Sequence, residues 1–178
     1  MLTLKVPDKE FFTEADGTFK TVKGAELHLE HSLISLSRWE SKWKKPYLDN
    51  AQLTREELFD YVYCMVIDKN VDREVINHLT NSELKQVLDY IADPHTATTI
   101  TDRRPGRSRK PEKVTSEVIY YWMIYYRIPE AYEKWHLNRL MTLIRVCGIK
   151  GGTNDQEMSL NSIFAQNNAI RAKRRAKK

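Results

Sequence analysis

The stretch TSEVIYYWMIYYRIPEAYEKWHLNRLMTLIRVCGIK, Thr115 to Lys150, holds the densest apolar content of the chain. Val118 to Tyr126 is an unbroken run of nine apolar or aromatic residues, with Pro129 as its far limit. That is long enough for a buried strand or for two and a half turns of buried helix. Thr115 and Ser116 ahead of Glu117 supply a helix start, so a helix is expected. Beyond Pro129, the residues Tyr132, Trp135, Leu137, Leu140, Met141, Leu143, Ile144 and Cys147 recur at spacings of three and four. This is the period of a helix with a broad buried face, and Gly148 and Gly151-Gly152 are expected to end it. The expectation is two helices joined at Arg127-Ile128-Pro129 and packed on each other, with nothing in them resembling an active site.

A chain of 178 residues with 41% hydrophobic content fits one domain with a real core, and excludes disorder throughout. No apolar run approaches the roughly twenty residues that span a bilayer. The opening MLTLKVPDKE lacks a basic segment followed by an apolar one, so the expectation is an unprocessed, soluble, intracellular protein. Cys64 and Cys147 fall in apolar helical patterns and read as small buried hydrophobes, too far apart in sequence for a metal spacing.

The net charge of +5 is unevenly placed. The last eight residues, RAKRRAKK, carry six positive charges, among them Arg171, Arg174 and Arg175, and the remainder holds 23 basic against 24 acidic residues. Within that near-neutral body, Asp102 to Lys113 contains Arg103, Arg104, Arg107, Arg109 and Lys110 beside two prolines and a glycine, the composition of a mobile basic loop. Basicity in loop and tail points to a sticky appendage more than to a preformed nucleic-acid groove.

Leu2, Leu4 and Val6 alternate with Thr3 and Lys5, a half-buried strand stopped by Pro7. Asp16-Gly17 predicts a turn between Phe11-Phe12 and Phe19-Val22, and Lys23-Gly24 predicts a second turn before Ala25, Leu27 and Leu29. Residues 1–30 are therefore expected to form a small antiparallel sheet against a helical core over 31–150. From Ser32 the period becomes helical through Leu33, Ile34, Leu36, Trp39, Trp43 and Tyr47, with Ser32 and Ser35 as half of a capping signature. Thr54 with Glu57 is a full capping box opening a helix over Leu58 to Asp68, with Leu58, Tyr61, Val62, Met65 and Val66 as one apolar stripe. Val75 to Leu79 reads as a short helical piece, and Thr80-Asn81-Ser82 caps a helix ending at Asp93-Pro94. Residues 94–113 lack apolar period, with an edge strand expected at Thr96 to Thr101 inside an otherwise mobile loop. Residues 151–178 read as a linker followed by a basic C-terminal helix or tail, capped at Ser159 or Asn161, with Leu160, Ile163, Phe164 and Ile170 as a thin apolar stripe. The fold class is α+β and mostly helical, with about five to six helices.

No constellation carries catalysis. His28 and His31 flank Glu30, but residues three apart on a strand face opposite sides and no zinc spacing completes the set. His136 reads as a satisfied structural histidine. There is no nucleophile elbow and no glycine-rich phosphate loop, so no catalytic, cofactor or metal residue is assigned. Trp39 and Trp43, one helical turn apart among Arg38, Lys42, Lys44 and Lys45, read as core first and as an aromatic-basic stripe for a partner second.

Leu29 to Leu48 (LEHSLISLSRWESKWKKPYL), Val114 to Ile124 (VTSEVIYYWMI) and above all Glu133 to Cys147 (EKWHLNRLMTLIRVC) resemble a family of tailed-bacteriophage tail morphogenesis proteins, often labelled tail assembly chaperones. The resemblance runs nearly end to end, including the basic segment from Asn167. It implies a non-enzymatic helper in the host cytoplasm that keeps the long, helical tape-measure protein soluble until the tail tube forms. A structural virion component at the connector, tail terminator or baseplate is the alternative. Nucleic-acid binding through the loop and tail is the third reading. Partners expected are the tape-measure or other tail proteins and further copies of the chain, with nucleic acid less favoured and no membrane.

Overall fold

In a computed structural model, residues 1–13, 17–49, 52–100 and 113–151 are described. They form an α+β protein, mostly helical, with a small antiparallel β region ahead of six helices. Among the described residues no helix is long and apolar enough to cross a membrane.

The β region is one hairpin. Strand β1 (Leu2–Val6) pairs antiparallel with β4 (Ala25–Leu29), and β2 (Lys9–Thr13) with β3 (Thr18–Val22). Val6 faces Ala25 and Lys9 faces Val22, so a single register passes unchanged from one ladder to the other. Pro7, which has no N–H to give, interrupts the ladder. There the Gly24 amide donates to Asp8 Oδ1 at 2.6 Å, and a Cβ on Gly24 would lie 2.2 Å from the Val6 carbonyl oxygen. The expected turn at Lys23-Gly24 is therefore corrected: β3 runs on into β4 along one arm. Glycine serves here for close approach of the opposite strand, which looks the same in sequence as glycine in a turn. Gly17, with φ of +62°, takes the left-handed conformation between β2 and β3.

Leu4, Val6, Leu27 and Leu29 are buried while Thr3, Lys5 and Glu26 face solvent, the alternation of a one-sided sheet. The exit of the second helix extends this sheet. The Glu30 amide donates to the Met65 carbonyl and the Ile67 amide to the His28 carbonyl, both at 2.9 Å, and Leu29 bridges Val66.

Helix α1 (Leu33–Trp43) opens with a complete capping box, in which Ser35 takes the place glutamate usually holds. The Ser35 amide donates to Ser32 Oγ at 3.2 Å and the Ser32 amide to Ser35 Oγ at 2.9 Å. Helices α2 (Arg55–Met65) and α4 (Asn81–Ala92) open on the boxes Thr54/Glu57 and Thr80/Glu83, and the short α3 (Arg73–Asn77) is capped by Asp72. Trp39, Tyr47 and Tyr61 meet at the centre, with Tyr47 stacked on Tyr61 at 3.8 Å between ring centroids. The expected edge strand is absent from its described part, Thr96 to Ile100. Side chains there satisfy nearby backbone instead, Asp93 Oδ1 accepting from the His95 amide at 2.7 Å and Thr96 Oγ1 from the Thr98 amide at 3.1 Å. The rest of the expected basic loop, 101–112, and the C-terminal segment from 152 lie outside the described residues.

Helix α5 (Ser116–Tyr125) ends where Arg127 turns left-handed at φ 53°. The Ile128 amide donates to the Met123 carbonyl at 2.8 Å and the Arg127 amide to the Ile124 carbonyl at 3.1 Å, a Schellman ending without glycine. A 3-10 helix, Glu130–Lys134, intervenes before α6 (Leu137–Gly151). The single helix expected after Pro129 is thus broken at Trp135-His136, where the Leu137 amide leaves the helical pattern to donate to the His31 carbonyl at 2.6 Å. Gly148 does not end α6, which continues to Gly151 with Gly148 buried inside it.

Candidate functional site

Helix α5 is where side-chain chemistry and surface depart most. The apolar run predicts burial on every side, yet only Ile119, Trp122 and Met123 lie in the core with the buried Ser116. Tyr121, Ile124 and Tyr125, at relative positions i, i+3 and i+4, are 56%, 76% and 47% exposed. They form one apolar stripe on the outer face. A second, smaller apolar feature is Phe12 opposite Phe19 near the end of the hairpin, 54% and 75% exposed, with ring centroids 5.3 Å apart.

The stripe sits on a firmly held helix. Thr115, the N-cap residue, makes no side-chain cap, and Glu40 of α1 does the work from outside. Its Oε2 accepts the Ser116 amide at 2.7 Å and its Oε1 the Tyr47 amide at 2.9 Å. A carboxylate against the positive end of a helix is favourable, although burial outweighs these bonds and pushes the Glu40 carboxyl above its ordinary pKa. From the middle of α5 the Tyr120 hydroxyl donates to Glu133 Oε2 at 2.8 Å, fastening the helix to the 3-10 helix.

The two tryptophans considered for partner binding divide. Trp39 is fully buried, its indole N–H donating to the Glu57 carbonyl at 2.8 Å, so it belongs to the core and offers no surface. Trp43 is half-buried, stacked on Trp39 at 6.1 Å, with Lys42 and Lys45 at 5.7 and 5.8 Å from its ring. Its N–H donates to Asp60 Oδ2 at 2.8 Å, while Lys42 and Arg73 both pair with Asp60 Oδ1. Burial acts to raise the Asp60 carboxyl, and the bonds from Lys42 and Trp43 with the nearby charges more than offset it, leaving the pKa lowered. Lys45 pairs with Glu57 at 2.7 Å, which with the Thr54 amide lowers that carboxyl too. Lys42, Lys45 and Arg73 are thus engaged by two buried carboxylates. A shallow polar cleft beside them is lined by Lys45, Pro46, Asp49, Gln52, Thr54 and Glu57.

Arg103, Arg104, Arg107, Arg109, Lys110, Arg171, Arg174 and Arg175 lie outside the described residues. The structure therefore brings together Trp39 and Trp43 of the expected site and adds the outer face of α5, which sequence reading missed. A run of nine apolar residues on a helix shorter than three turns cannot all face one core, and that excess was the available signal. Among the described residues no group of three or more histidine, cysteine, aspartate or glutamate side chains is placed to hold a metal ion. Compared with protein-family models, with curated proteins and with solved structures, the chain matches none.

Proposed function

We propose that this chain is a non-enzymatic tail morphogenesis protein of a tailed bacteriophage, acting in the host cytoplasm as an assembly chaperone for the helical tape-measure protein. The observation that carries the reading is the exposed stripe Tyr121, Ile124 and Tyr125 on a helix braced from behind. An amphipathic helix docks by laying side chains of this same spacing against an apolar surface, and a stripe of three side chains suits reversible contact. The resemblance of Leu29 to Leu48, Val114 to Ile124 and Glu133 to Cys147 to the phage family supports the same role.

The second reading, a structural virion component, is favoured by the hairpin. Strands β2 and β3 make a two-stranded ribbon ending near an exposed aromatic pair, suited to lateral contact with neighbouring subunits. Co-expression with the tape-measure protein separates the two. A chaperone raises the soluble fraction of the tape-measure protein and co-purifies with it before any tail tube is present. A protein that leaves the tape-measure protein insoluble is not its chaperone.

A further inference from the structure

Where α4 ends and α6 begins, the two helices are joined head to tail. Asn138, in the first turn of α6, gives its side-chain N–H groups to the Ile91 carbonyl at 3.0 Å and the Asp93 carbonyl at 2.6 Å. His136, just before that turn, gives Nε2–H to the Tyr90 carbonyl at 3.1 Å and accepts the Asn138 amide at Nδ1 at 3.3 Å. A carbonyl cannot donate and an amide N–H cannot accept, so these partners fix the neutral Nε2–H tautomer. The ring is buried, with the His95 imidazole stacked on it at 4.0 Å, Tyr90 edge-on at 5.0 Å and His31 edge-on at 5.1 Å.

We propose that this junction is an acid-released latch, in which His136 caps the start of α6 at its seam with α4 only while the ring is neutral, the Nε2–H bond to the Tyr90 carbonyl being common to both protonation states. A second proton on Nδ1 would face the Asn138 amide, donor against donor, at the positive end of α6. The groups around it offset this only in part. His31 is engaged by the Tyr61 hydroxyl at 2.5 Å, and Glu30 by the Tyr90 hydroxyl at 2.7 Å and the Met1 amine at 2.9 Å. Asp93 lies 4.0 Å from His95 Nε2, and the Arg139 guanidinium is laid over Trp135 at 4.1 Å. Burial, followed by the charge of His95, holds His136 down to a pKa of about 4, against the hydrogen bond to the Tyr90 carbonyl and then attraction from Glu30 and Asp93. The opened junction binds the proton at an ordinary imidazole pKa of about 6.5, so acidification favours opening before the closed form titrates.

The test is NMR of the full chain between pH 7.5 and 5.5. Imidazole nitrogen shifts should report a neutral Nε2–H His136 throughout. The protection factors of the Leu137 and Asn138 amides, corrected for intrinsic exchange, should fall about tenfold, the ratio of proton binding by the open and closed forms at pH 5.5. Those of Leu36 and Val62 should hold. His136→Asn, which keeps an N-cap acceptor and cannot titrate, should abolish the fall. Titration of His136 at 6.5 or above, unchanged Leu137 and Asn138 protection in the native chain, or the same fall in a folded His136→Asn protein would each overturn the latch. The first two need no variant to fold.

Discussion

Glu40 Oε2 accepts the backbone amide of Ser116 at 2.7 Å, tying the last turn of α1 to the first turn of a helix 76 residues further along the chain. With the Tyr47 amide on Oε1, one side chain sets the loop after α1 and the start of α5. Glu40→Ala orphans two buried N–H groups and should cost roughly 2–4 kcal/mol in urea unfolding, while Glu40→Gln, which can still accept one, should cost less than half as much. The pH sign follows from burial. A carboxyl raised in the folded state contributes stability that is full below the unfolded pKa and lost as pH rises through the folded one. Glu40→Gln should remove that loss.

Asp60 carries the opposite sign. Its carboxyl is lowered, so its contribution is present above the unfolded pKa and lost as pH falls through the folded one. Asp60→Asn leaves Lys42 and Arg73 without their counter-charge and should cost roughly 1.5–3 kcal/mol at neutral pH. It should also flatten the acid limb of the stability curve below about pH 4. Urea midpoints between pH 3 and 7 check both.

The two glycines of the hairpin should behave differently. A methyl on Gly24 meets backbone of the opposite strand and cannot be accommodated by a rotamer change, so Gly24→Ala should cost roughly 2 kcal/mol or more. Nothing lies within 4 Å of a Cβ on Gly17, and the cost there is backbone strain alone. Gly17→Asn, suited to the left-handed region, should cost less than about 1 kcal/mol in thermal unfolding.

How much of this was legible depended on whether the determinant was local. Thr54 with Glu57 could be read from four residues and the cap at Thr80-Asn81-Ser82 from three, and the structure begins α2 and α4 there. Ser32 with Ser35 looked like half a box because the second serine does work usually given to glutamate. The break before α6 was hidden because apolar spacing runs smoothly through Trp135 and Leu137. What decides it is the His31 carbonyl, more than a hundred residues away. His31 and His136, each read as unremarkable alone, meet only because the hairpin exit, α4 and α6 converge. The outer face of α5 was missed because side-chain type records preference for burial and not whether a neighbour exists to provide it.

If that face is the binding surface, function and stability separate along one helix. Ile124→Glu changes an exposed side chain and should move stability by less than about 0.5 kcal/mol, yet abolish co-purification of the tape-measure protein. Trp122→Ala, on the buried side, should cost roughly 3–5 kcal/mol. Thermal melts beside pull-downs distinguish the two effects. An Ile124→Glu protein that still captures its partner would place binding elsewhere.

The chaperone reading rests most directly on where the protein is after assembly. Quantitative mass spectrometry of purified phage particles beside the lysate measures this. The expected result is abundance in the lysate and absence from finished particles. An integral number of copies per virion would contradict the chaperone role and leave a structural component whose exposed apolar face and hairpin tip are contacts between subunits.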